Sequence, residues 1–298
     1  MDCLDQMGLK LKTNILLIRR GAIGDVIMTT AAVQEVAQRY HSRIDVCTDH
    51  PEVFLNNPYV ENVISFDDQY ADKLLDSYQA IFDLDDAYEI NPTQNYLASF
   101  LNRVGAFGCN TLPSLYPSED DHVKVLRLLE GIGEHIVVHM RNWHWGAKNI
   151  SMDVWFDIFT KLFEVAPTCT VLVVGSSTDH FIEHPSFVDL RNKLTLQEMH
   201  VLCKESACFV GIDSAPFHVA ATSGCFMVGL LTHLRPEVIM PAGHKCIGIQ
   251  TLEDCAGCND NQTVPVRQVI CHKGNFPCTK NFDTQHIADQ ILAALNGQ

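Results

Sequence analysis

The chain has 298 residues, 47% apolar and 19% charged, which is a globular composition long enough for two cores. Its formal net charge is −15, and no Lys/Arg cluster other than Arg19-Arg20 is present, which argues against nucleic acid as a partner. No apolar run approaches the roughly 20 residues of a membrane-spanning helix, and no secretory signal is visible. We therefore expect a cytoplasmic protein, with contact to the inner face of the membrane left open.

Short β-branched runs alternate with amphipathic helical segments along the chain. Ser151 is predicted to cap a helix whose apolar face includes Trp155. Near-continuous apolar strands between helices are typical of parallel sheets covered on both faces, so the fold class is α/β. The predicted strands are Asn14–Ile18, Arg43–Thr48, Asn62–Phe66, Gln79–Leu84, His135–Met140, Thr170–Gly175, Cys208–Asp213, Phe226–Leu231 and Cys246–Gln250.

Pro-Ser pairs on each side of Leu115-Tyr116 indicate a linker between two domains. A second series of strands begins after it, so we place the domains at 1–120 and 121–298. Both are predicted to be Rossmann-like, and they are expected to face each other across a cleft. Ligands of such sheets gather at the carboxyl ends of strands, so the loops after strands are the candidate sites.

The first strand passes into a helix through a loop with two glycines and one carboxylate. Gly21 and Gly24 permit a close approach to the backbone, but the loop matches neither the G-x-G-x-x-G nor the P-loop pattern. Asp25 follows at the start of the helix. It is either an ordinary helix cap or a general base that takes a proton from a hydroxyl in the cleft.

A second candidate loop follows the strand that ends at Asp213. Ser214 and Ala215 lead into a helix with Pro216 in its first turn and His218 shortly after it. The backbone N–H groups and the positive end of such a helix suit an anion, for example a pyrophosphate. His218 is either a half-buried histidine held by its neighbours or a side chain directed at that anion.

The two loops together resemble one family. G-x-x-G-D-V followed by T-T-A-A, and the later D-S-x-P-x-H-x-A-A-x-x-G, are similar to the motifs of glycosyltransferase family 9, which contains the bacterial lipopolysaccharide heptosyltransferases. The resemblance implies a GT-B fold and an inverting transfer from a nucleotide-diphosphate sugar, with no metal required for the reaction. It weakens over residues 40–120, the region that handles the acceptor in this family.

The resemblance also implies roles for individual residues. Asp25 matches the aspartate that deprotonates the acceptor, next to Gly21 and Gly24 on the acceptor-side loop. Asp179 matches an acidic residue on the nucleoside ribose, and Leu194 matches a residue that packs against the base. The chain has Ala215 where the family often has glycine. The full set of implied donor-binding residues is Arg141, Asn142, Lys148, Asp179, Leu194, Asp213, Ser214, Ala215 and His218.

Four of the 12 cysteines are grouped near the end of the sequence, as Cys255-x2-Cys258 and Cys271-x6-Cys278. Four thiolates suit a structural zinc or iron and leave no open position for catalysis, so a structural metal is weighed against four reduced thiols or adventitious disulfides. The resemblance adds that one branch of the family binds iron through four cysteines. The scattered cysteines, Cys109 among them, are predicted to be small buried apolar side chains.

The sequence thus predicts a glycosyltransferase that moves a sugar, with heptose from ADP-heptose as the first candidate, to a hydroxyl of a glycan or protein. The acidic chain suits a phosphorylated acceptor such as lipopolysaccharide core poorly. One alternative is a non-catalytic protein of the same fold that binds a nucleotide or a partner. A sugar-nucleotide epimerase or dehydrogenase is disfavoured because G-x-G-x-x-G and Tyr-x-x-x-Lys patterns are missing. The sequence does not specify the nucleoside base of the donor or the oligomeric state.

Overall fold

The computed structural model describes residues 14–65, 76–89, 94–142, 145–259 and 270–297. Its strands form two sheets in which all neighbours are parallel. The first sheet, in the order β3-β2-β1-β4, consists of β1 (Ile15–Ile18), β2 (Ile44–Cys47), β3 (Val60–Ile64) and β4 (Ala80–Asp83). The second, in the order β10-β9-β8-β5-β6-β7, consists of β5 (His135–His139), β6 (Thr170–Val173), β7 (Phe187–Asp189), β8 (Cys208–Gly211), β9 (Phe226–Leu231) and β10 (Cys246–Gln250).

Helices connect these strands, and several of them begin at a residue whose side chain caps the first turn. Ser151 accepts a hydrogen bond from the Asp153 N–H and caps its helix as predicted, while Ser118 and Thr195 form capping boxes. The α-helices described are α1 (Ile23–Tyr40), α2 (Tyr96–Arg103), α3 (Glu119–Leu128), α4 (Met152–Val165), α5 (Leu196–Lys204), α6 (Ala215–Ser223), α7 (Pro236–Ile239) and α8 (Thr284–Leu295). None of the helices in these ranges is both long and apolar enough to cross a membrane.

The α/β prediction and the two Rossmann-like sheets are confirmed. Each predicted strand is present, Phe226–Leu231 and Cys246–Gln250 with the predicted ends and the others with shifted ends. The predicted end at Phe66 lies outside the described residues. The prediction missed β7, because a strand of three residues at a sheet edge carries too short an apolar run. The domain boundary near residue 120 stays a prediction.

The two domains touch along α1 and α6. Buried apolar side chains form one continuous cluster that includes Val26 of α1 and Val219 of α6. This packing places the amino-terminal ends of both helices, and therefore both candidate loops, beside each other.

The scattered cysteines are mostly buried, as predicted for Cys47, Cys169, Cys203, Cys208 and Cys225. The prediction is wrong for Cys109, which is exposed. It lies in a turn directly after Gly108, which has a φ of 72°, and not in a strand. Cys3 lies outside the described residues.

Candidate functional site

A cavity of about 530 Å³ lies between the two domains, where the loops after β1 and β8 meet. The first domain contributes Ala22, Ile23, Gly24, Asp25, Tyr88 and Tyr96 to its wall. The second contributes Arg141, Trp145, Lys148, Asp213, Ser214, Ala215, His218, His233 and Leu234. Both loops singled out in the sequence therefore face one shared cavity.

Asp25 lies in the first turn of α1 but is not its cap. Ala22 occupies the N-cap position and makes no side-chain hydrogen bond there. The Oδ2 atom of Asp25 instead accepts hydrogen bonds from Nη2 of Arg19 at 2.7 Å and from the Tyr88 hydroxyl at 3.3 Å. The helix-cap alternative is thus wrong, and the 15% exposed carboxylate belongs to the cavity wall.

Arg19 and Tyr88 hold the Asp25 carboxylate in place. The buried Arg19 guanidinium also donates to the Leu84 carbonyl at 2.9 Å and lies 5.6 Å from the centre of the Tyr88 ring. Tyr88 stacks on Tyr96 with 4.0 Å between the ring centres. Burial raises the pKa of Tyr88, so its hydroxyl stays protonated and can donate to Asp25. The sequence analysis missed both partners.

Asp213 organises the wall of the second domain. Lys148 donates to its Oδ2 atom, and Nε2 of His218 lies 3.1 Å from Oδ1. Burial alone would raise the pKa of Asp213, but Lys148 and His218 outweigh it and hold this pKa well below its usual range. Asp213 therefore stays ionised and fixes an ammonium and an imidazole beside the start of α6.

The start of α6 has the character of an anion site. Ser214 is the N-cap residue, Pro216 lies in the first turn, and the Ser214 side chain does not cap the helix. Its hydroxyl instead lies 2.8 Å from the Ile212 carbonyl and 2.9 Å from Nδ1 of His139. First-turn N–H groups without a capping side chain, together with the helix dipole, favour an external anion.

The two loops touch at Gly24 and His218. A Cβ atom placed on Gly24 would lie 2.6 Å from Cδ2 of His218, which is closer than side chains approach one another. The missing side chain at Gly24 thus lets the imidazole lie against the first turn of α1. The His218 ring therefore lies between Asp213, with which it pairs, and Gly24, the residue next to Asp25.

A second cavity of about 390 Å³ adjoins the first and shares Ile23, Arg141 and Ala215 with it. The other residues of its wall are His139, Gly175, Ser176, Asp179, Asn192, Met199 and Pro216. The start of α6 therefore lies between the two cavities. Leu194 lines neither of them and packs against the large apolar core.

Asp179 holds the loops around this second cavity together. Its carboxylate accepts hydrogen bonds from the backbone N–H groups of Asn142 at 2.9 Å and Ser176 at 2.7 Å, and Nε2 of His139 lies 3.1 Å away. Burial opposes ionisation of Asp179, but these hydrogen bonds prevail and lower its pKa strongly. The sequence analysis missed His139, whose one signal is its place as a polar residue at the end of an apolar strand.

The four grouped cysteines come close together, although the chain between 259 and 270 lies outside the described residues. Burial, together with the nearby thiols of Cys255, Cys258 and Cys271, raises the pKa of Cys278 to about 12. No three of these sulfur atoms lie within 4.8 Å of one another in the described part of the chain. Glu253, Asp254 and Cys255 do reach that spacing, but Lys273 already pairs with both carboxylates.

Comparison with known families agrees with the motifs. The profile of the family described as Glycosyltransferase family 9 (heptosyltransferase) matches residues 144–266, a range that contains Lys148, Asp213 and His218. The resemblance inferred from the motifs is confirmed by this match, and with it the predicted enzyme class. This part of the chain matches the model of glycosyltransferase family 9, and the protein is a glycosyltransferase. No curated protein matches the sequence significantly.

Solved structures agree with the fold. A family 9 glycosyl transferase from Veillonella parvula superimposes with a TM-score of 0.73 at 13% identity, covering 97% of this chain and 99% of that one. ADP-heptose lps heptosyltransferase II of E. coli gives 0.71 at 16% identity, with 96% and 99% covered. The iron-containing dodecameric glycosyltransferase TibC of enterotoxigenic E. coli gives 0.70 at 14% identity, with 97% and 78% covered. At such identities the likeness establishes the GT-B fold alone.

Proposed function

We propose that this glycosyltransferase is inverting and transfers a sugar from a nucleotide diphosphate to a hydroxyl group, with Asp25 as the base. The observation that carries the proposal is the shared cavity. Asp25 lies on one wall, and Lys148, Asp213, His218 and the start of α6 lie on the other. A base for the acceptor and a site for a departing anion thus face the same space.

The donor diphosphate would bind at the start of α6, next to Lys148 and Arg141. The nucleoside would then occupy the cavity beside Asp179, and the sugar would occupy the larger cavity beside Asp25. Asp179 and Asn142 support this arrangement by holding the loop of the nucleoside cavity. Asp213 pairs with Lys148 in the free protein. Contact between Lys148 and phosphate would strengthen because negative charge develops on the leaving group, which stabilises the transition state more than the bound donor.

In the transfer step, the acceptor hydroxyl gives its proton to the Asp25 carboxylate while its oxygen attacks the anomeric carbon. The bond from that carbon to the diphosphate oxygen breaks, and its electron pair leaves with the nucleoside diphosphate. Attack from the face opposite the leaving group inverts the anomeric configuration. Arg19 and Tyr88 keep the Asp25 carboxylate oriented for this proton transfer.

A third cavity, of about 390 Å³, supplies an approach for the acceptor on the other side of Asp25. Its wall consists of Arg19, Arg20, Gly21, Ala22, Asp25, Asp85, Asp86 and Glu89. Four carboxylates against two guanidinium groups favour a neutral hydroxyl over a phosphorylated acceptor. We therefore propose an uncharged glycan or a protein side chain as the acceptor.

ADP-heptose is the first donor to test. One of the similar structures is named for it, and TibC has been solved in complex with ADP-D-beta-D-heptose. The test is release of nucleoside diphosphate by the purified protein from ADP-heptose, ADP-glucose, UDP-glucose and GDP-mannose, with and without glycan or protein extracts. Release that depends on one donor and on an extract, with inverted configuration in the product, supports the proposal. Nucleotide binding without any turnover contradicts it and favours the non-catalytic alternative.

For the four cysteines we propose a structural zinc or iron site. Four thiols grouped in one region are a donor set that both metals accept, and TibC is named as iron-containing. Four thiolate ligands would leave no coordination position open for a reactant, so the metal would be structural. Metal analysis of the purified protein should find about one ion per chain and less in Cys278→Ser, while Cys109→Ser, which alters an exposed cysteine, should keep it. Equal metal content in all three proteins would contradict this site.

A further inference from the structure

Two buried side chains in the wall of the large cavity have polar atoms without a partner. Trp145 is 6% exposed and His233 is 2% exposed, and both line the 530 Å³ cavity. Among the described residues, neither Nε1 of Trp145 nor Nε2 of His233 has a hydrogen-bond partner. The two rings lie side by side, with centres 4.5 Å apart and planes at 70°. Leaving such atoms unpaired costs stability, which a bound ligand can recover.

The hydrogen bonds around His233 determine what each atom offers. The Thr232 hydroxyl donates to the Ala147 carbonyl at 2.6 Å, so its oxygen can only accept from Nδ1 of His233, 3.0 Å away. Burial lowers the pKa of His233 to about 3, which keeps the imidazole neutral with its proton on Nδ1. The Nε2 atom is therefore a lone-pair acceptor. Trp145 Nε1–H, beside it, is a pure donor.

This pairing selects the chemistry of the ligand. A phosphate oxygen only accepts hydrogen bonds, so it would leave the His233 acceptor unsatisfied. A cation is disfavoured because Lys148 lies 5.8 Å from the centre of the Trp145 ring. A hydroxyl both donates and accepts, so hydroxyl groups can satisfy the two atoms together.

The position of the pair indicates which part of the donor it meets. Trp145 and His233 line the cavity that contains Asp25, and neither lines the cavity beside Asp179. Trp145 lies in the same loop as Lys148, which we place at the diphosphate. The group that follows the diphosphate on the side away from the nucleoside is the donor sugar.

We propose that Trp145 and His233 form a subsite that recognises hydroxyl groups of the donor sugar, with Trp145 donating and His233 accepting. The subsite rests on the proposed function and deepens it, because it assigns sugar selection to residues outside the two motifs. Its loss should weaken binding of a nucleotide sugar and leave binding of the bare nucleoside diphosphate unchanged.

The test compares Trp145→Phe and His233→Phe with wild type in calorimetric binding of ADP and of ADP-heptose, or of whichever panel donor turns over. Each variant should bind the nucleotide sugar about tenfold more weakly and the nucleoside diphosphate within about twofold of wild type. His233→Gln, which keeps an acceptor, should recover part of the loss. Trp155→Phe is the matched control, because Trp155 is fully buried with an unpartnered Nε1 but lies in the core of the second domain.

The outcomes separate this inference from the proposed function. If wild type turns over a donor and both Phe variants bind it as tightly as wild type does, the subsite is refuted and the transferase proposal stands. If wild type binds no sugar nucleotide and turns none over, the proposed function is refuted and the subsite with it. Should Trp145→Phe fail to fold, His233→Phe carries the same comparison.

Discussion

The contact between Gly24 and His218 makes a sharp prediction for Gly24→Ala. The new Cβ would lie 2.6 Å from Cδ2 of His218, whereas ordinary contacts begin near 3.4 Å, so the imidazole must move by about 0.8 Å. A displacement of this size in a catalytic site costs on the order of 100-fold in rate. Gly24 is in the first turn of α1 without a left-handed φ, so Ala adds no backbone strain.

The protein should stay folded, with only a modest loss of stability. Ala in a helix gains up to about 1 kcal/mol over Gly, and disturbing the bond between His218 and Asp213 costs about 1–3 kcal/mol. The melting temperature should therefore change by only a few degrees, while donor turnover falls about 100-fold. Gly133→Ala is the matched control, since nothing lies within 4 Å of its Cβ position. If Gly24→Ala turns over donor within about twofold of wild type, the two loops do not work as one site.

Two further predictions concern charge. Lys148→Met leaves the buried Asp213 carboxylate without its ammonium partner. Donor affinity should therefore fall at least tenfold, and the free energy of unfolding should fall by about 3–5 kcal/mol. The control is Lys161→Met, at an exposed pair, which should change the free energy of unfolding by less than about 0.5 kcal/mol. Burial lowers the pKa of His200 to about 4 and that of His233 to about 3, so both stay neutral in the folded protein when the unfolded chain takes up protons below about pH 6.5. The free energy of unfolding from urea titrations should therefore decrease as pH falls from 6.5 towards 4, by up to ~1.4 kcal/mol per pH unit for each histidine. Equal values at pH 7 and pH 5 would contradict the burial argument.

The fold could largely be predicted from the sequence because several of its strands are buried on both faces and are continuous apolar runs. The runs at Ile15–Ile18 and Cys208–Gly211 are completely buried. The edge strand Phe187–Asp189 was missed because it has three residues and one buried side chain. The exposed Cys109 was mispredicted because residue type alone does not reveal a turn.

The candidate site was predictable only where it follows local patterns. The loops at Asp25 and Asp213 can be recognised in the sequence by their glycine or proline residues and by the start of a helix. Their partners come from distant parts of the chain, as with Tyr88, which lies 63 residues from Asp25. Likewise, His139 meets Ser214 across 75 residues. Such pairs depend on the order of strands in the sheet, which no local pattern specifies.

The roles of Asp25 and of the shared cavity are the central claim, and the comparison of wild type with Asp25→Asn tests it most directly. The variant keeps the size of the side chain and removes the carboxylate that takes the proton. Transfer from the productive donor should fall by about 10²–10⁴-fold with nucleoside diphosphate affinity unchanged. Asp153→Asn is the control, because Asp153 is an exposed acidic residue in the first turn of α4. Transfer by Asp25→Asn within about fivefold of wild type would contradict the account.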